Sequence, residues 1–165
     1  MNKRLALIAT IFLASIGLAN EPAYIIGEPN PNLAEGARQL IAGHDEEGIK
    51  LTLLGLQAAN GKWEEETALS NLCAGYTNLG DYEKALTYCD MLLTRNDNSW
   101  RAYNSKALIY IATKQYDEAE SALQKGEAIK PGARSMKIAR ALFLDATQPV
   151  VPEIEIDDRQ KPERQ

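Results

Sequence analysis

The chain has 165 residues, a formal net charge of −5, 45% hydrophobic and 25% charged residues. That balance excludes the low-hydropathy, highly charged class of disordered chains and leaves room for one packed domain. The acidic excess argues against nucleic acid and anionic lipid as partners.

The first segment reads as an address. Lys3 and Arg4 precede an uncharged apolar run from Leu5 to Leu18, and Gly17-Leu18-Ala19 supplies a small-x-small cleavage site. This predicts a secretory signal peptide over residues 1–19 and a mature chain that begins at Asn20, periplasmic or secreted. The apolar run is shorter than the ~20 residues a bilayer crossing needs, so membrane attachment through an uncleaved leader is the lesser alternative. No Cys follows the small residues to accept a lipid. Removing Lys3 and Arg4 from the 18 basic residues leaves 16 against 23 acidic ones, a net charge of −7.

Residues 20–31 form an extension with three prolines and the apolar Tyr24-Ile25-Ile26, the one segment where a strand is conceivable. An all-helical domain is expected over residues 32–147. Its first unit, roughly residues 29–62, carries Gly36, Gly43, Gly48 and Gly55 and a turn reading GHDEEGIKL. Trp63 to Glu65 then interrupt the spacing. Residues 66–99 place Leu69, Leu72, Cys73 and Tyr76 at three- and four-residue steps, break at Gly80-Asp81, and resume with Tyr82, Ala85, Leu86, Cys89, Leu92 and Leu93. Two amphipathic helices joined by a short break must run antiparallel. Residues 100–133 repeat the arrangement, residues 134–147 give one closing helix, and residues 148–165, rich in charge and proline, predict a disordered tail.

Sliding the chain on itself by 34 residues places Tyr76 on Tyr110, Tyr82 on Tyr116, Glu83 on Asp117 and Ala85 on Ala119. These slots resemble the tetratricopeptide repeat. The second unit supplies Leu69, Leu72, Cys73, Tyr76, Gly80, Tyr82, Ala85, Cys89 and Leu92, with Asp97 where the pattern has Pro. The third supplies Tyr103, Ala107, Tyr110, Tyr116, Ala119, Leu123, Gly126 and Pro131, with Lys106 in place of Leu and Lys114 in place of the turn Gly. The resemblance implies an antiparallel helix-hairpin solenoid of about three repeats and a closing helix, in which each hairpin buries its open face only by stacking on a neighbour. Gly48, Ala85, Ala107, Ala119 and Gly126 then sit where helices cross closely.

In that family the first helices of successive repeats line a concave groove for a partner peptide. Carried over residue by residue, the inward stripe is Leu33, Ala37, Leu40 and Ile41; then Thr67, Ser70, Asn71, Ala74 and Asn78; then Arg101, Asn104, Ser105, Leu108 and Ile111; finally Ile138 and Leu142. Of the carboxylate clamp some members carry, only Asn71 and Arg101 match, while Leu33, Ala37 and Ser105 fill the other slots, which implies no full clamp. The expected partner is a segment of another envelope protein. The alternative is an obligate structural subunit of a larger complex or homo-oligomer, without peptide binding of its own. The slots also set Cys73 and Cys89 on facing sides of one hairpin, either bonded in an oxidising compartment or as two small core residues.

Catalysis finds no constellation. The single His, His44, lies in a turn, and the Cys pair fits neither a C-x-x-C nor a zinc spacing, so no metal or cofactor is expected. The runs Asp45-Glu46-Glu47 and Glu64-Glu65-Glu66 stand at helix starts, where acids complement the helix dipole. N-terminal sequencing of the exported protein is expected to begin at Asn20; Met1 retained on membrane-bound material would overturn the cleavage.

Overall fold

A computed structural model describes residues 30–148. The segment expected to be a signal peptide, nearly all of the extension and the expected tail from residue 149 lie outside the described residues. Within them the chain is all-α, a solenoid of seven helices: α1 (Pro31–Ile41), α2 (Asp45–Gln57), α3 (Lys62–Leu79), α4 (Tyr82–Arg95), α5 (Trp100–Ala112), α6 (Tyr116–Ile129) and α7 (Arg134–Thr147).

Local chemistry sets the helix ends. Asn30 accepts from the Leu33 N–H at 3.3 Å ahead of Pro31 in the first turn, Asp81 accepts from Lys84 N–H at 3.3 Å, and Ser99 caps α5. The acidic runs are used structurally. Asp45, Glu46 and Glu47 fill the first turn of α2. Glu64 accepts from the Asn60 N–H, Glu65 pairs with Arg95 at 2.7 Å, and Glu66 accepts from Asn96 at 3.0 Å, so the start of α3 is tied to the end of α4.

The three hairpin turns are built alike. His44 N–H donates to Gln39 O, Asp81 N–H to Tyr76 O and Gln115 N–H to Tyr110 O, each next to a residue at positive φ. Two of those residues are glycines, Gly43 and Gly80; the third is Lys114 at φ 61, the position read as a departure from the turn Gly. It adopts the left-handed conformation nonetheless, because the geometry of the hairpin demands it there.

Glycine governs the tightest hairpin, α1–α2. A Cβ on Gly36 would lie 2.5 Å from Thr52 Oγ1, one on Gly48 2.6 Å from Leu40 Cγ, and one on Gly55 2.4 Å from Leu33 Cδ2. The leucines fill the space the glycines leave. Leu33, Ala37 and Leu40, read from sequence as groove residues, are therefore buried in the core, and only Ile41 of that set is exposed. In the later repeats Ala85, Ala107 and Ala119 are fully buried at their crossings, and Gly126 receives the Met136 side chain from α7.

Arg140 fastens α7. Its guanidinium grips Glu127 with bonds of 2.8 and 3.0 Å and also reaches Glu120. The arginine holds the Glu120 carboxyl below its usual pKa. Stability from that lowered pKa is present at neutral pH and is lost as pH falls through it.

Two substitutions should move stability in opposite directions. Gly55→Ala forces a methyl group into Leu33 and is expected to destabilise by roughly 1–3 kcal/mol. Lys114→Gly removes a left-handed side chain and should stabilise by up to about 1 kcal/mol, after the entropy of the added glycine is subtracted. Thermal unfolding followed by circular dichroism reads both, and an unchanged midpoint for Gly55→Ala would contradict the packing of α1 on α2.

Candidate partner-binding groove

The contact pattern defines two surfaces. α1 touches α3, α3 touches α5 and α5 touches α7, whereas α2, α4 and α6 meet only odd-numbered helices among the described residues. Odd helices packed side by side with even helices splayed behind them make the odd surface the concave one.

α3 is the longest helix, at 18 residues, because Trp63 to Glu65 add a turn to its start rather than forming a loop. That turn places Trp63 four residues before Thr67 on the same stripe, half-exposed at 51%. The sequence reading treated this tryptophan as an interruption of the repeat and missed it; its spacing from Thr67 was the available signal.

The middle of the α3 stripe is closed. Thr67, Ser70, Asn71 and Ala74 are all buried, as are Asn104 and Ser105 of α5. Small side chains let the two helices approach, and the approach removes them from solvent. Asn71, Ala74 and Asn104, expected to touch a partner, thus form a seam between helices and offer a partner almost no surface. Thr67 Oγ1, Ser70 Oγ and Asn104 Oδ1 have no hydrogen-bond partner among the described residues. Ser70 lines a small cavity of about 110 Å³ with Glu66, Leu92, Asn96, Asn98, Ser99, Trp100 and Arg101.

The remaining expected residues keep surface. Asn78 is exposed at the far end of α3 and donates to Asp45 at 3.1 Å. Arg101 is half-buried with its guanidinium over the Trp100 ring, 4.4 Å from the centroid. Leu108 and Ile111, farther along the same face of α5, are partly exposed. The groove is thus a polar seam with an apolar and cationic wall on α5, a tryptophan at one rim and Ile41 beyond the other end of α1.

Behind the groove, Lys106 stands where the repeat pattern has Leu. Its ammonium pairs with Asp90 of α4 at 2.5 Å, so the third hairpin is joined to the second by charge as well as by apolar packing. A convex cleft of about 480 Å³ remains beside it, walled by Tyr103, Tyr110 and Lys125.

Cys73 and Cys89 are joined in a disulfide that links α3 to α4, with Cα atoms 4.9 Å apart. Both are fully buried among Leu69, Leu92 and Ala102. Among the described residues no three His, Cys, Asp or Glu side chains gather as a metal-ligand set, and no helix is long and apolar enough to cross a membrane.

Comparison with known proteins agrees with this geometry. The family model of the tetratricopeptide repeat matches residues 101–132. Tetratricopeptide repeat protein 12 of Mus musculus is 37% identical over 62 residues, which is 38% of this chain and 9% of that protein's length. The chain therefore covers a small part of that relative. No solved structure matches.

Because the bond closes a loop of some fifteen residues, its reduction should lower stability by about 3 kcal/mol in the chain-entropy model. Thiol labelling in denaturant should find no free Cys before reduction and two after it; two labelled thiols without reductant would exclude the bond.

Proposed function

We propose that this chain, a tetratricopeptide-repeat protein, is an exported, non-enzymatic adaptor that holds a segment of another envelope protein in its concave groove. The repeats are in general a protein-interaction fold. The finer reading rests on α5, where Arg101, Leu108 and Ile111 keep accessible surface on one helical face while the middle of the neighbouring α3 stripe is shut. A partner segment lying along that wall would set apolar side chains on Leu108 and Ile111, direct a carboxylate to Arg101, and cover the half-exposed Trp63. Export is supported by the Lys3-Arg4 front, the apolar run and Ala19, and by the disulfide, which persists in an oxidising compartment.

Crosslinking in cells identifies the partner, and substitutions then test the groove. Arg101→Ala should weaken capture by roughly tenfold, the scale of one charge-assisted bond. Leu108→Asp should weaken it more, since an unpaired carboxylate would be buried under the partner. Helical content is expected to stay constant. A double variant that captures the identified partner as well as the parent would move the binding surface away from the groove.

A further inference from the structure

Each hairpin covers one face of its odd-numbered helix with the helix that follows, but α7 has no such cover among the described residues. The 34-residue shift places Lys137, Ala141 and Leu144 of α7 on Tyr103, Ala107 and Tyr110 of α5. Ala107 is fully buried in a cluster with Ala122 and Leu123 of α6. On α7 the equivalent face is open. Ala141 is exposed and Leu144 shows 43% of its surface, while Ile138 and Leu142, which fall on Asn104 and Leu108 of the groove side, flank that face with 51% and 46% exposed. Met136 and Ala139 point the other way, into the core.

We propose that a second copy of this chain supplies the missing cover, with the two α7 helices packed antiparallel about a two-fold axis at Ala141. The order of residues along the helix fits that symmetry. Lys137 and Asp145 lie four residues before and after Ala141, and Ile138 and Leu144 lie three before and after it. The two-fold therefore sets Lys137 against Asp145 of the second copy, Ile138 against Leu144 of the second copy, and alanine on alanine at the crossing. Each pairing occurs twice, as an isologous contact requires. A parallel arrangement would instead oppose Lys137 to its own counterpart and Asp145 to its own.

Small residues at the crossing allow close approach, as at Ala107. One pair of 14-residue helices makes less than a standard interface of ~1,200 Å², so the dimer is weak and concentration-dependent. This inference goes beyond the adaptor reading and stands on α7 alone; the readout is solution mass, which partner capture by Arg101 and Leu108 variants does not report.

Sedimentation equilibrium of the oxidised chain lacking residues 1–19, whose apolar run would itself associate, decides the matter. The mass should rise from one protomer toward two as concentration approaches the order of hundreds of micromolar. Leu144→Glu should leave a monomer of unchanged helical content. Lys137→Glu and Asp145→Lys should each weaken the dimer by about tenfold through like-charge contacts, and the two together should restore it. A monomer at every concentration would mean that α7 stays open or is covered by the chain's own residues beyond Gln148, and would overturn the proposal. So would a dimer that survives Leu144→Glu, or a charge-exchanged pair as weak as either single change.

Discussion

Close approach of helix backbones at small residues is the constraint on which the solenoid depends. Where Gly36, Gly48 and Gly55 lie in the first hairpin, a single methyl group would meet a neighbour at 2.4 to 2.6 Å. The second hairpin uses Cys73 and Cys89 and joins them covalently. The third uses Ala107 and Ala119. Three different devices thus serve one geometry. The glycine version is the most demanding, because it relies on Leu33 and Leu40 to fill the space left by side chains that are absent. Leu40 also bounds Gly75 of α3, together with Ile49, so packing of the first hairpin carries through to the second.

The same closeness decides what the concave surface can offer. Odd-numbered helices approach one another through Thr67, Ser70, Asn71 and Ala74 on α3 and Asn104 and Ser105 on α5, and that approach takes them out of solvent. Larger side chains, Leu108 and Ile111, hold the surface up near the far end of α5. The accessible part of this surface is therefore α5 and Trp63 at the start of α3, and not the middle of α3.

The sequence made the hairpins readable because their packing uses fixed slots. The 34-residue spacing of Tyr76 and Tyr110, or of Ala85 and Ala119, locates the residues that face one another inside a hairpin. The turn at Lys114 followed too, although its residue departs from the pattern, since hairpin geometry and not residue type fixes the φ there. Three features were less legible. Leu33 and Leu40 looked like groove residues because the glycines that draw them into the core are on the other helix. The added turn of α3 looked like a break because a helix can lengthen at its start without disturbing the slots that follow. Depth on the concave stripe was hidden as well, because it depends on the size of side chains one repeat away.

A solenoid must also solve its two ends, and here the solutions differ. At the first hairpin, Asn30 both caps α1 and donates to the Gly55 carbonyl at 3.0 Å, so the entering chain is bound to the end of α2. At the other end Arg140 bridges to Glu120 and Glu127, and Phe143 meets Tyr116 edge-on, so α7 is held firmly by α6. Firm attachment on one side with Ile138, Leu142 and Leu144 exposed on the other distinguishes α7 from a frayed terminus. A helix fixed in place with its apolar side open loses little conformational entropy on meeting a partner, and so contributes to association more per buried residue than a mobile segment does. The wall of α5 and the open face of α7 are both carried on helices already ordered by packing, which is the condition for weak contacts to be specific.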